Sequence, residues 1–282
     1  MKVSYYPGCS LHGTAKEYDQ SVRSVSHALG IELEEIEDWS CCGATSAHST
    51  NFKLSIALPA RNLIAAEKKA QDVMIPCAAC FNRFKTAEHH LSQDPELKAE
   101  IEEIVGGRYQ GSAAIRNPID IIVRDIGLEA LAAKVVKRLA GLKPVSYYGC
   151  LLLRPPDVCR FDDAENPVLL DRILAVLGAE VRPWSFKTDC CGGSLTISKT
   201  EIVVRMVDKL MEMAREAGAN CLVTACPVCM ANLDMRSSKD AGLPVFYFTE
   251  LAALAMGQEG PEGWFRLHRT DPRPLLKGLG LL

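Results

Sequence analysis

The stretch KVSYYPGC at residues 2–9 is repeated, slightly shortened, as PVSYYGC at residues 144–150. Each copy is a short run rich in Val and Tyr that leads into a glycine, a pattern typical of a β-strand ending in a turn. Both copies end in a cysteine, Cys9 in the first and Cys150 in the second. The repetition of one short sequence half a chain apart indicates that the chain arose by internal duplication.

The cysteines extend this repeat. In each half the first cysteine is followed by a CCG sequence and then by a CxxC pair, and the interval from CCG to CxxC has the same length in both halves. The interval before CCG is longer in the second half, which we attribute to an insertion within RPPDVCRFDDAENP at residues 154–167. The first set is Cys9, Cys41, Cys42, Cys77 and Cys80, and the second is Cys150, Cys190, Cys191, Cys226 and Cys229.

The sequence between the cysteines alternates strand and helix patterns. Helical periodicity is clear at residues 51–70 and 200–217, and DVMIPC and CLVTAC are typical of buried strands that end at the CxxC pairs. PVFYFTELAALA closes the second half with a strand and a helix, and residues 117–133 resemble it in the first half. This order predicts two α/β units with parallel sheets, residues 1–141 and 142–282, related by a pseudo-two-fold axis.

In parallel α/β sheets, ligands bind beyond the carboxyl ends of the strands. Each predicted strand that precedes a cysteine ends just before it, so we expect the five thiols of a unit to meet at one edge of its sheet.

The composition limits the partners and the cellular location that we expect. The net charge of −3 predicts no nucleic-acid partner, and neither an apolar signal core nor a run of about 20 apolar residues is present, so we expect a cytoplasmic protein without a transmembrane segment.

Five thiols per unit exceed the four ligands of a structural zinc site or of a cubane iron–sulfur cluster. An adjacent cysteine pair suits a larger or irregular iron–sulfur cluster, although zinc or disulfides remain alternatives. Gly43, Gly192 and Gly193 are expected to adopt positive φ and to offer backbone N–H groups to sulfur. The remaining two cysteines break the repeat: Cys221 is expected to be a buried thiol at the start of a strand, and Cys159 a surface thiol in the insertion.

The doubled CxnCCGxnCxxC motif resembles the catalytic B subunit of heterodisulfide reductase, and the resemblance covers nearly the whole chain. It implies two non-cubane [4Fe–4S] clusters, each held by the five cysteines of one set. It also implies two partners, an iron–sulfur protein like the C subunit of that enzyme and a flavoprotein like its A subunit. Small-molecule disulfides and thiols would be the substrates and products. The expected activity is reductive cleavage of a disulfide, such as the mixed disulfide of coenzymes M and B, by one-electron steps.

Cleavage of a disulfide also needs protons. His12 and His48 follow cysteines of the first set, and the second half has Leu153 and Ile197 at the corresponding places, so we name the two histidines as candidate proton donors. Lys187 and Arg154 are candidates for binding an anionic part of a substrate. A second function remains open: CCG domains also resemble electron-transfer parts of quinone-linked and 2-hydroxy-acid-linked oxidoreductases, which act on no disulfide.

Overall fold

The computed structural model describes residues 1–44, 47–238 and 242–282. Seven strands lie in this part of the chain: β1 Lys2–Tyr5, β2 Glu32–Glu35, β3 Val73–Met74, β4 Ile115–Arg116, β5 Pro144–Tyr147, β6 Cys221–Thr224 and β7 Val245–Tyr247. The helices before β5 are α1 Gly8–His12, α2 Lys16–Ala28, α3 Ala47–Thr50, α4 Phe52–Glu67, α5 Ala78–Gln93, α6 Pro95–Val105, α7 Pro118–Ile121, a π-helical turn Ile122–Ile126 and α8 Leu128–Ala133.

The helices after β5 are α9 Pro156–Cys159, α10 Leu169–Val176, α11 Thr200–Glu216, α12 Pro227–Met235, α13 Phe248–Ala255, α14 Pro261–Trp264 and α15 Arg273–Gly278, with short 3₁₀ turns at Gly193–Leu195 and Phe265–Leu267.

The strands form two separate sheets, and every pair of neighbouring strands is parallel. The first sheet has the order β2-β1-β3-β4 and the second the order β5-β6-β7. One sheet therefore belongs to each half of the chain, which confirms the predicted fold of two duplicated α/β units. The central strands are apolar because helices cover them: all four residues of β6 are buried.

The two units pack against each other through helices that each unit contributes. Helix α2 of the first unit lies against α13 of the second, and α10 of the second unit lies against α7 and α8 of the first. Tyr18 on α2 stacks on Tyr247, with ring centroids 4.1 Å apart and planes 4° from parallel. Three residues further along α2, Ser21 shares a 2.7 Å hydrogen bond with Thr249. All residues of α13 are buried, as expected for a helix that packs on every side.

The predicted helices agree with the structure, with one correction. Residues 51–70 contain α4 and residues 200–217 contain α11. Residues 117–133 hold no strand: β4 ends at Arg116, and the stretch continues as helix from Pro118. The strand of this strand–helix unit therefore lies just before the predicted stretch, because Asn117 caps α7 through its side chain and Pro118 occupies the first helical position. Among the described residues, no helix is long and apolar enough to cross a membrane.

Candidate functional site

Cysteines follow the carboxyl ends of the strands. Strand β1 leads directly to Cys9 on α1, and the chain after β3 reaches Cys77, the N-cap residue of α5. In the second unit β6 leads to Cys226, which is the N-cap residue of α12. A helix N-terminus presents free N–H groups and the positive end of its dipole, so it favours a thiolate at the N-cap position. Of the two N-cap thiols, Cys226 has a pKa well below its ordinary value, whereas the contact with Cys226 and burial raise the pKa of Cys77.

The five thiols of the first unit form a connected group. The sulfur atoms of Cys42 and Cys80 are 3.2 Å apart, and those of Cys9 and Cys41 are 3.8 Å apart. The thiols of Cys42 and Cys77 also lie close enough to raise the pKa of Cys41 and Cys80, respectively. The outer members, Cys9 and Cys41, are exposed, and the other three are buried. The prediction that this set comes together at one sheet edge agrees with this geometry.

The second unit repeats the arrangement. The sulfur atoms of Cys191 and Cys229 are 3.5 Å apart. Cys226 lies close enough to raise the pKa of Cys229, and Cys190 close enough to raise that of Cys150. Here too the first cysteine of the CCG loop, Cys190, is exposed while the CxxC pair is buried. Each site therefore has an inner side within the protein and an outer side that faces solvent.

A tyrosine and a glycine complete each site, and sequence inspection alone did not single them out. Tyr6 donates to Ser40 O at 2.8 Å and Tyr147 to Asp189 O at 2.6 Å, so each hydroxyl holds the residue just before the CCG loop. Burial raises the pKa of both hydroxyls, and the nearby thiols raise it further. Both units contain a Tyr-Tyr pair, and the equivalence of Tyr6 with Tyr147 is recognised only when residues are counted backwards from Cys9 and Cys150.

The glycine lies between that tyrosine and a cysteine sulfur. Gly8 and Gly149 have φ of 69° and 66°, in the left-handed region. A Cβ on Gly8 would come within 3.3 Å of Cys80 Sγ, and a Cβ on Gly149 within 3.0 Å of Cys229 Sγ. Both the backbone conformation and the close sulfur therefore require glycine.

The glycines of the CCG loops behave mostly as predicted. Gly43 and Gly192 have positive φ, and their N–H groups donate to the sulfur of the residue two positions earlier, Cys41 at 3.4 Å and Cys190 at 3.3 Å. Gly193 does not have positive φ. It is needed for a steric reason instead, since a Cβ there would lie 2.7 Å from Val228 Cγ1.

The two sets meet at the interface between the units. The thiols of Cys77 and Cys226 lie close enough to shift each other's pKa, upward for Cys77 and downward for Cys226. Beside this contact the buried hydroxyl of Tyr18 lies 3.3 Å from Pro76 O and 3.1 Å from Ala225 O, the carbonyl groups that precede the two cysteines. A line of neighbouring thiols thus passes through both units: Cys9, Cys41, Cys42, Cys80, Cys77, Cys226, Cys229 and Cys191.

Within these groups some thiols donate and others accept. Hydrogen bonds from Cys41 and then Cys80 lower the pKa of Cys42 to about 4, and the bond from Cys150 lowers that of Cys190 to about 6. The hydrogen bonds from Cys229 and Cys77 hold the pKa of Cys226 well below its ordinary value. Each unit therefore keeps thiolate, the form that binds metal, at the inner or the CCG positions.

The two candidate proton donors lie on different helices: His12 is on α1 with Cys9, and His48 is on α3. His12 Nε2 is 3.1 Å from Glu35 Oε1, and its ring meets Trp39 edge-on with centroids 4.9 Å apart. His48 is exposed, with Nε2 3.4 Å from Ser49 Oγ. Thr45 and Ser46, which precede α3, lie outside the described residues. Of these two candidates, His12 is the one whose ring is oriented by a carboxylate.

Lys187 and Arg154 are engaged within the protein. Lys187 is buried, and its ammonium group donates to Pro167 O at 2.8 Å and pairs with Asp171 at 3.1 Å. Arg154 pairs with Glu165 at 3.1 Å. Lys187 is therefore a structural residue that supports the start of the CCG loop.

The two cysteines outside the repeat are both buried. Cys221 begins β6 and is fully buried, as predicted. Cys159 was expected at the surface, and this expectation is wrong: only 2% of it is exposed. Asn82 of α5 explains the burial, because its amide reaches across the units to Leu151 O at 3.1 Å, Arg154 O at 2.8 Å and Cys159 Sγ at 3.4 Å.

The donor set suits the group that the sequence implies. All 12 cysteines are free thiols, so none is used in a disulfide. Within the described residues, no three His, Cys, Asp or Glu side chains are already gathered so that they could hold a metal ion. Each unit instead offers five soft sulfur ligands and backbone N–H donors to sulfur, the chemistry that iron–sulfur clusters require. The residues fit such a cluster better than a single ion.

Comparison with known families decides the classification. The model of the CCG cysteine-rich domain matches residues 3–85 and again residues 145–234. The chain belongs to the CCG cysteine-rich domain family. The two matches coincide with the two thiol sets, so this CCG protein carries the domain twice, in agreement with the duplication seen in sequence and fold.

Named relatives of this CCG protein have several roles. The membrane anchor subunit of the 8-methylmenaquinol:fumarate reductase of Wolinella succinogenes is 31% identical over 91% of this chain and 92% of its own length. A heterodisulfide reductase B-subunit-like protein of Archaeoglobus profundus is 30% identical over 91% of both chains. The B subunit of a coenzyme B–coenzyme M heterodisulfide reductase of Methanosarcina acetivorans is 26% identical over 91% of this chain and 89% of its own. The resemblance to the B subunit of heterodisulfide reductase is thereby confirmed.

One solved structure shares the fold. A hypothetical protein from Helicobacter pylori superposes with a TM-score of 0.76 over 96% of this chain at 11% identity. The present chain spans about half of that protein, 52% of its length. At this identity the likeness concerns the fold alone. The relatives together make the protein a CCG-domain protein of the oxidoreductase type.

Proposed function

We propose that this CCG protein is the catalytic iron–sulfur subunit of a heterodisulfide reductase-like complex, which cleaves a disulfide reductively to two thiols. The observation that carries the proposal is the line of thiols that joins the two sets at Cys77 and Cys226. A disulfide has two nearly equivalent sulfurs and takes up two electrons, and a duplicated site with its halves in contact matches that requirement. The mixed disulfide of coenzymes M and B is one such substrate.

The ten cysteines of the two sets would hold two non-cubane [4Fe–4S] clusters, five cysteines to each. When bound, the clusters supply the electrons singly, which suits cleavage of one bond by two successive electrons. The chain itself contributes the fixed spacing. Tyr18 lies against the carbonyl groups of both CxxC loops, and the Tyr6 and Tyr147 hydroxyls hold the CCG loops, so neither site can shift without the other. Fixed spacing of reacting groups lowers the entropic part of the barrier.

Protons must reach the departing thiolates, and we assign this task to His12 in preference to His48. The carboxylate of Glu35 orients the His12 ring, as expected for a general acid that must present one nitrogen. Partial burial raises the pKa of Glu35, but hydrogen bonds from Trp39 and Arg23 outweigh it and keep the net pKa below its ordinary value. The carboxylate therefore stays ionised while it holds the histidine.

The complex would include two partners, an iron–sulfur protein like the C subunit of heterodisulfide reductase and a flavoprotein like its A subunit. The similarity to named heterodisulfide reductase B subunits supports this proposal. A second candidate function is electron transfer to or from a quinone-linked enzyme without any disulfide substrate. It is favoured by the 31% identity to one component of a menaquinol:fumarate reductase.

The test uses the purified complex with its iron in place. The clusters are reduced chemically, excess reductant is removed, and a panel of small disulfides or a menaquinone analogue is added while the spectrum is followed. Disulfide reduction predicts reoxidation by at least one disulfide with release of two thiols for each pair of electrons. Reoxidation by the quinone alone would favour the second function. About two zinc and no iron in each chain would refute both.

A further inference from the structure

One helix position lies close to the second cysteine of the CCG loop in both units but carries a different charge. It is the third residue after the last cysteine of each CxxC pair, Arg83 on α5 and Asn232 on α12. Asn232 Nδ2 donates to Cys191 O at 2.9 Å. Arg83 lies one helical turn after Cys80 on α5, and Cys80 Sγ is 3.2 Å from the sulfur of Cys42, the counterpart of Cys191 in the first unit. The duplicated scaffold thus places a cation beside one site and a neutral amide beside the other.

Arg83 lacks an ordinary counter-ion. Its guanidinium group is partly buried and donates to the amide oxygen of Asn82, and no carboxylate in the described part of the chain lies within ion-pair distance of it. Burial lowers its pKa, whereas the thiols of Cys42 and Cys159 act in the opposite direction, and a guanidinium group remains charged in proteins. A partly buried cation without a carboxylate partner is costly, so the anionic sulfur site is its natural partner.

The residue before each CCG loop adds to the difference. It is Ser40 in the first unit and Asp189 in the second, and in both units its carbonyl oxygen accepts the tyrosine hydroxyl. Asp189 is exposed and immediately precedes Cys190, so its carboxylate places a negative charge next to the second site. The first site therefore has an added positive charge, and the second has an added negative charge that water partly screens.

We propose that Arg83, with Asp189 acting in the opposite sense, makes the first thiol site the more easily reduced of the two. The proposal rests on the proposed function in one respect, that both sites hold iron–sulfur clusters. Each one-electron reduction adds one unit of negative charge to a site. The electron comes from the external reductant, and no bond is broken and no proton is transferred. A nearby cation stabilises that added charge and a carboxylate opposes it. Electrons entering the protein thus settle first beside Arg83.

The experiment is an anaerobic redox titration of the iron-loaded complex with dithionite, followed by electron paramagnetic resonance. Arg83→Asn gives the first site the residue found in the second, and Asp189→Ser makes the reverse exchange. We expect Arg83→Asn to lower only the higher of two midpoint potentials, by about tenfold in the one-electron equilibrium constant, or about 59 mV. Asp189→Ser should raise only the lower potential, and by less, because the carboxylate is exposed.

Two further variants separate charge from packing. Arg83→Lys keeps the charge and should retain most of the separation between the potentials. Lys85→Gln removes a cation from the same helix that is already paired with Glu88, and should shift neither. An unchanged potential in Arg83→Asn, an equal shift of both sites, or the same shift in Arg83→Lys would overturn the proposal. If Arg83→Asn loads no iron, loading of Arg83→Lys supports the role of charge, and failure of both variants shows that the residue serves packing instead.

The outcome is independent of the substrate. A shifted potential without any reaction with disulfides would support the role of Arg83 and refute disulfide reduction as the function. Disulfide reduction with unshifted potentials would do the reverse. If Arg83 bound an anionic substrate instead, Arg83→Asn would raise KM with both potentials unchanged, which also counts against the proposal.

Discussion

The two units hold their thiols with the same local structure but differ in the charged groups around it. In both, a tyrosine hydroxyl fixes the CCG loop and a glycine of positive φ makes room for a CxxC sulfur. The helix that follows the last strand of each sheet carries a buried acid near its start, Asp120 in the first unit and Glu250 in the second. Arg116 and Arg124 pair with Asp120, whereas His268 pairs with Glu250 at 2.8 Å.

This difference shows which features the duplicated function needs. The thiols, the tyrosines and the glycines are the same in both halves because they shape the site itself. Arg83, His12 and the acid partners differ, and each of them changes a charge or a proton near one site only. Divergence after duplication has therefore acted on electrostatics, and the following substitutions test each part of the comparison.

The largest effect is expected from the paired thiols Cys80 and Cys229, which hold equivalent positions. Replacing either one by serine removes a soft ligand from one site and leaves the other site intact, so each variant should lose about half of its bound iron. Cys221→Ala is the matched control, because Cys221 is equally buried but lies outside both sets. Iron and sulfide analysis of the purified proteins measures the effect. Full iron content in Cys80→Ser would contradict the assignment of the first set.

The cysteine sets could be predicted because their spacing repeats along the chain and does not depend on tertiary contacts. Helical periodicity within each half located α4 and α11, and the strand patterns before the cysteines placed the thiols at the strand ends. Residues that act across the interface could not be recognised in this way. Tyr18 appears in the sequence only as one member of an apolar helical stripe, and the burial of Cys159 depends on Asn82, which lies far away along the chain.

The second prediction concerns the contact between the units. Tyr18→Ala removes a fully buried ring that stacks on Tyr247 and should lower the free energy of unfolding by about 3–5 kcal/mol. Tyr18→Phe keeps the ring and loses only the hydroxyl, at a cost of about 1 kcal/mol. Chemical denaturation measures both values.

Ser21→Ala is the control for Tyr18→Phe. It also removes one buried hydroxyl from the α2–α13 interface, at a similar cost of about 1 kcal/mol, but it touches neither CxxC loop. Only Tyr18→Phe should speed the alkylation of Cys77 and Cys226 in the iron-free protein, as followed by mass spectrometry. Equal alkylation rates in the two variants would show that the Tyr18 hydroxyl stabilises the interface without holding the loops.

The third prediction tests the asymmetry of the proton donors. His12→Gln should lower the rate of disulfide reduction by about tenfold and abolish its decline at higher pH, because the general acid is lost. His27→Gln, on the adjacent helix, is the matched control and should leave the pH–rate profile unchanged. His48→Gln should also have little effect. A decline at higher pH that persists in His12→Gln would exclude this residue as the acid.

The smallest expected effect is on the pH dependence of stability, in which the buried acid of the second unit and its neighbours take part. Burial lowers the pKa of His268, but the carboxylates of Glu250, Asp234 and Glu17 outweigh it and the net shift is upward. Burial also raises the pKa of Glu17, which faces this pair from α2. Both groups bind protons more tightly in the folded state. Their stabilisation is present below the unfolded pKa values and is lost as pH rises through the folded ones.

Stability should therefore decline as pH rises above the ordinary pKa of each group, 4.5 for Glu17 and 6.5 for His268, because both pKa values are raised in the folded protein. In Glu17→Gln the part of this decline that comes from Glu17 should be absent, and only the part from His268 should remain. Glu103→Gln, an exposed acid on α6, should decline like the wild type. Denaturation curves at several pH values provide the measurement. If Glu17→Gln loses as much stability as the wild type over this range, the pH-sensitive interface does not include Glu17, and the two units differ only in the charges beside their thiols.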